Sequence, residues 1–112
     1  MEINSRRVRD VLIIEMIGRL DSVSAGDAER RVLNLITNED RQILLDFGNL
    51  KYLTSMGMRL VIKTDALLRA NGGRLKICNA NTGIKKLFWL MAFEDDIRIY
   101  DSEREACSAF LG

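Results

Sequence analysis

The segment Gln42-Ile43-Leu44-Leu45-Asp46-Phe47 constrains this chain more than any other. Its apolar run is too short for a helix and does not alternate with polar residues. A strand that is apolar on both faces must be covered on both, as strands in parallel sheets are. Parallel neighbours need crossover connections, usually helices, and the flanking sequence provides them. Residues 3–8 and 11–17 predict two strands, with polar Arg9-Asp10 between them as a hairpin turn. Asp21 or Ser22 can cap a helix carrying Ala25, Ala28, Val32, Leu35 and Ile36 at three-four spacing. A second helix starts after Thr54-Ser55-Met56-Gly57 and runs to about Ala70, where Asn71-Gly72-Gly73 stops it. Residues 74–78 predict a strand, and residues 83–91 a helix capped by Asn81 or Thr82. Residues 97–100 predict the last strand, and Ser102 with Glu105 forms a capping box for a final helix through Phe110. The order β-β-α-β-α-β-α-β-α predicts one α/β domain over residues 1–112. Its sheet is mostly parallel, with an antiparallel N-terminal edge strand and about four helices.

Composition excludes several classes of function. With 17 Lys+Arg against 16 Asp+Glu in 112 residues, the chain has no basic footprint for nucleic acid. It contains no His, which removes His-dependent nucleophilic catalysis and His-containing zinc sites. No acid–base pair stands out, so no enzymatic activity, cofactor or metal is expected. Cys78 and Cys107 lie far apart in apolar surroundings and read as small core residues of a reduced protein. No apolar stretch approaches the ~18 residues of a membrane span, and the first residues have no signal-peptide core. A cytoplasmic protein without membrane insertion is the expectation.

The informative segment is Leu53-Thr54-Ser55-Met56-Gly57-Met58-Arg59. A helix start offers unpaired backbone amides and a partial positive charge. A hydroxyl there either caps the helix, as Thr54 or Ser55 could, or gives a phosphate a favourable place to sit. Gly57 allows close approach to the backbone. On a helical wheel Leu60, Val61, Thr64, Leu67 and Leu68 form a stripe expected to face the sheet. Ser55, Met58, Arg59 and Ile62 fall on nearly the opposite side and predict an outward docking surface, unless the first strand pair or a loop covers Met58 and Ile62.

Several segments, taken in order and spacing, resemble a STAS domain of the bacterial anti-sigma factor antagonist type. They are Gly18-Arg19-Leu20-Asp21, Ile43-Leu44-Leu45-Asp46-Phe47, Leu53-Thr54-Ser55-Met56-Gly57-Met58, Gly72-Gly73-Arg74-Leu75, Ile84-Lys85-Lys86-Leu87-Phe88 and Asp101-Ser102-Glu103-Arg104-Glu105-Ala106. The resemblance runs from about Val11 to Phe110. It implies a protein that binds an anti-sigma factor, itself a Ser/Thr kinase of histidine-kinase-like ATPase fold, and so frees a sigma factor. The kinase would phosphorylate the residue matching Ser55 and end the interaction. A metal-dependent Ser/Thr phosphatase would reset it. Asp21 matches a family acid near that site. Two positions depart from the pattern: Thr54 stands where the family has Asp, and Met56 where it has a second Ser. Thr54 is thus an alternative acceptor, and loss of switching is a second outcome of these departures. The corresponding alternative function is an unswitched STAS module, a scaffold or a subunit of a lipid-transport assembly.

Two further segments stand apart. In Phe88-Trp89-Leu90-Met91-Ala92-Phe93, a core stripe of Ile84, Leu87, Phe88 and Met91 leaves Trp89 to the side. Trp89 is therefore either a second contact surface, a homodimer being one use of it, or a side chain covered by the last helix. Glu94-Asp95-Asp96 reads as an acidic turn with too few ligands for a calcium loop.

Overall fold

A computed structural model describes residues 1–91 and 97–111. The expected acidic turn at Glu94-Asp95-Asp96, and the Ala92-Phe93 end of the Trp89 segment, lie outside the described residues.

Strands β1 (Glu2–Val8) and β2 (Val11–Leu20) form the predicted antiparallel hairpin, closed by Arg9 in a left-handed conformation with φ of 54°. Helix α1 (Ala25–Leu35) follows, then β3 (Gln42–Asp46), β4 (Leu50–Leu53) and α2 (Ser55–Ala70). The chain continues through β5 (Arg74–Cys78), α3 (Thr82–Leu90), β6 (Ile99–Tyr100) and α4 (Glu103–Leu111). The main sheet runs in the order β1-β2-β3-β5-β6, and every pairing beyond the hairpin is parallel.

The run at residues 42–47 behaves as its pattern requires. Ile43, Leu45 and Phe47 join the large core cluster on one side of the sheet, while Leu44 packs with Val11, Ile13, Cys78 and Ala106 on the other. The large cluster contains residues of α1, α2 and α3; the smaller one is covered by α4. Hydrophobic burial is the main driving force here. A sheet with both faces covered leaves no free apolar surface on its central strands.

One strand was not anticipated. Residues 50–53 pair with the end of β2, beyond a register shift at Gly18/Arg19. Gly18 takes a φ of 113°, open to glycine but unfavourable for other residues, and its amide bonds to the Asn49 carbonyl at 3.0 Å. The bulge lets one strand serve two parallel neighbours in turn, β3 over its first half and β4 over its last residues. Four residues are too few for alternation to be legible, although Leu50 and Leu53 do point inward while Lys51 and Tyr52 point out.

Two boundaries also differ from expectation. Ser24, rather than Asp21 or Ser22, occupies the N-cap of α1. Strand β6 begins at Ile99, although Ile97 is buried in the core and the Arg98 carbonyl accepts a bond from the Ile77 amide at 3.0 Å. Of the two caps expected for α3, Asn81 is the one used: its side-chain oxygen accepts from the Ile84 amide at 2.9 Å.

The wheel of α2 needs correction. Met58, expected on the outward docking face, is fully buried, whereas Leu67, expected to face the sheet, is 46% exposed. The buried stripe is centred on Gly57, Val61, Thr64 and Leu68. At about 100° per residue, Met58 sits only some 60° from Val61 and falls inside a stripe of that centre. Counting Leu67 as core turned the expected stripe away from Met58.

Candidate functional site

Helix α2 begins where β2 and β4 end side by side, Leu20 paired with Leu53. The Leu20 carbonyl accepts a bond from the Thr54 amide at 3.1 Å. Gly57, in the first turn of α2, lies so close that any Cβ there would collide with the Leu20 carbonyl and side chain. This contact puts the loop that starts at Asp21 directly beside the start of α2. Gly57 is therefore a packing residue rather than an open contact position.

Within that junction the two hydroxyls are divided by role. Thr54 is the N-cap, its Oγ1 accepting from the Gly57 amide at 3.3 Å and its carbonyl from the Met58 amide at 2.8 Å. Ser55 is the first helical residue and is exposed. Its hydroxyl makes no hydrogen bond among the described residues. The capping question left open by the sequence is thus decided for Thr54. The first turn of α2 contains no acidic residue, so an anion there would meet no repulsion from its own helix turn.

Asp21 organises the neighbouring loop. Its Oδ1 accepts from the amides of Val23 at 3.0 Å and Ser24 at 3.1 Å, and the Arg19 guanidinium lies 3.7 Å from Oδ2. The bond from the Ser24 amide is the largest cause holding this carboxyl below its ordinary pKa. Arg19 also stacks on the Tyr52 ring, its guanidinium carbon 4.3 Å from the ring centre.

The segments that meet at this junction carry exposed apolar side chains. Val23 is 90% exposed, Tyr52 55% and Met56 47%. Beside the junction a groove of about 490 Å³ runs between α1 and α2, lined in part by Gly26, Met56, Arg59, Ile62 and Ala66. Lys63 and Glu29 form an ion pair across it at 3.4 Å. Thus Asp21, Thr54, Ser55, Met56 and Arg59 come together at the surface, Ile62 is half-buried beside them, and Met58 lies beneath in the core. Sequence reasoning missed Arg19, Val23, Tyr52 and the α1 wall of the groove. The outward Lys51-Tyr52 pair between two inward leucines was the available sign for Tyr52.

Other residues singled out by sequence lie elsewhere. Trp89 and Leu90 are each 62% exposed at the end of α3. Asp46 closes the β3–β4 connection, accepting from the Gly48 amide at 2.9 Å and the Asn79 side chain at 3.2 Å. Cys78 is buried and Cys107 half-buried, both as free thiols. No cluster of three or more metal-ligating acids and thiols occurs among the described residues, and none of their helices is long and apolar enough to cross a membrane.

The STAS domain family matches residues 2–106. The chain belongs to the STAS domain family. Among relatives of this STAS domain, a protein of Bordetella bronchiseptica, BtrV, assigned as an anti-sigma factor antagonist, is 26% identical over 98% of this chain and 95% of its own. A Thermotoga maritima protein with the same assignment superposes with a TM-score of 0.90 at 18% identity, over 96% of this chain and 92% of that one. The anti-sigma factor antagonist SpoIIAA in its unphosphorylated form superposes with a TM-score of 0.75 at 23% identity, over 99% of both chains. Its Bacillus counterpart in the phosphorylated form gives 0.74 at 21% identity, over 97% of this chain and 99% of that one.

Proposed function

We propose that this STAS domain is an anti-sigma factor antagonist whose binding surface is built around Ser55 and is switched off by phosphorylation there. The observation that carries this reading is the position of Ser55: exposed at the first residue of α2, with its hydroxyl unused because Thr54 does the capping. The partner in this reading is an anti-sigma factor of histidine-kinase-like ATPase fold. In the transfer step Ser55 Oγ attacks the γ-phosphorus of ATP. The new O–P bond forms as the bond to the departing ADP breaks, and the hydroxyl proton passes to a base of the kinase. A metal-dependent Ser/Thr phosphatase hydrolyses the ester to reset the domain. The added charge is about −1.5 to −2 near neutral pH. Set in the middle of an interface, that charge weakens binding without refolding the domain, since ~1.4 kcal/mol already changes affinity tenfold.

The replacement of the family acid by Thr54 does not remove the cap, because a threonine oxygen accepts the same amide. It does remove a negative charge from the site. Ser55 is the preferred acceptor over Thr54, whose oxygen is engaged by the Gly57 amide.

Incubation with the cognate anti-sigma kinase and ATP, followed by peptide mass analysis, tests the reading. A single phosphate on Ser55, absent in Ser55→Ala, supports it, together with weakened kinase binding by Ser55→Asp. Binding without phosphate transfer, unaffected by either substitution, selects the unswitched STAS module instead. Trp89 remains the candidate for a second surface of homodimer type. Sedimentation at rising concentration, with Trp89→Ala alongside, tests it, and an unchanged monomer in both removes it.

A further inference from the structure

Arg59 stands out among the cations near Ser55. Arg19 is engaged by Asp21 and by the Tyr52 ring, and Lys63 by Glu29. Arg59 lines the mouth of the α1–α2 groove, is exposed, and has no ion pair among the described residues. It lies four residues after Ser55 on the same helix, within reach of that side chain. An anion followed by a cation at this spacing is the favourable order on a helix. No acid lies in the first turn of α2, and the two carboxylates facing it from the neighbouring elements are engaged elsewhere, Asp21 by the Val23 and Ser24 amides and Arg19, and Glu29 by Lys63.

We propose that Arg59 is the built-in counter-ion for a phosphate on Ser55. The inference rests on Ser55 being the acceptor and adds what the modification does to its surroundings. A phosphoserine at position 55 takes two N–H bonds from the guanidinium, a geometry that Arg supplies and Lys does not. The phosphorylated domain therefore changes the groove mouth twice: a dianion appears, and the unpaired cation that faced an incoming partner turns onto it. An acidic group of the partner that pairs with Arg59 in the unmodified domain loses its contact and meets negative charge instead.

The test needs no kinase. Phosphoserine is encoded at position 55 of the full chain, and the phosphate is titrated by phosphorus NMR in the parent, Arg59→Gln, Arg59→Lys and Arg19→Gln backgrounds. The expected result is a second ionisation about half a pH unit lower in the parent than in Arg59→Gln, with Arg59→Lys between them. Because both groups are exposed, added salt should narrow the difference. Coincident curves for the parent and Arg59→Gln overturn the proposal, as does an effect that follows Arg19→Gln instead. Both side chains are exposed, so folding is not at stake. Failure of a kinase to modify the unphosphorylated chain would count against Ser55 as acceptor and leave this titration result intact.

Discussion

Thr54 and Ser55 are neighbours with hydroxyls of opposite consequence for stability. Thr54→Ala removes the cap on the Gly57 amide and should cost about 1 kcal/mol. Ser55→Ala removes an exposed, unbonded hydroxyl and should change stability by less than about 0.5 kcal/mol. Urea denaturation of the two variants checks both values. The same assay separates function from packing at Met58. A carboxylate at this fully buried position has no partner, so Met58→Asp should lose on the order of 3 kcal/mol or unfold the domain. A folded Met58→Asp protein of ordinary stability would contradict the burial. Weakened partner binding by that variant is accordingly a stability effect, whereas Arg59 and Met56 can be changed at the surface.

At the scale of elements, the edge hairpin is tied down chiefly by the ion pair of Arg7 with the buried Asp40. Arg7 on β1 donates two bonds to Asp40, at 2.6 and 3.2 Å, in the connection between α1 and β3. The Thr37 amide and hydroxyl donate to the same carboxylate at 2.7 and 3.0 Å. These bonds, the Arg7 pair foremost, hold Asp40 down from 3.8 to about 2. The folded state thus binds this proton less readily than the unfolded state. Stability from Asp40 is full above pH 3.8 and falls away as the pH drops towards about 2. Asp40→Asn should flatten that part of the acid-unfolding profile and lower stability at neutral pH. Thermal melts from pH 7 down to about pH 2 measure both changes. Arg6 and Glu103 make a similar link from β1 to α4, but at an exposed position where an ion pair contributes little.

At the scale of the whole molecule, Cys78 reports on global opening. It sits in the smaller core cluster between sheet and α4, and burial pushes its thiol up to about 12. Burial also raises the thiol of Cys107, half-buried on α4. With a neutral alkylating reagent at pH 8, Cys107 should react first, and Cys78 only at the rate at which the domain unfolds. Mass analysis over time resolves the two steps. Equal rates would mean that α4 detaches on its own.

The amino-acid pattern alone determined the alternation of strands and helices and the buried parallel strand within residues 42–47, and it singled out the segment around Ser55 as the candidate site. These are local properties: hydrophobic period, capping residues and glycine stops act over a few residues and leave a direct trace in the chain. Only the tertiary structure decided which hydroxyl caps α2, which way its buried stripe faces, and that α1 forms a wall of the groove beside the candidate site. The strand at residues 50–53 depends on a bulge at Gly18, more than thirty positions earlier, and Met58 is core because the start of α2 is pressed against the Leu20 carbonyl. Contacts between residues so far apart in sequence are set by how elements pack, and no local period records them.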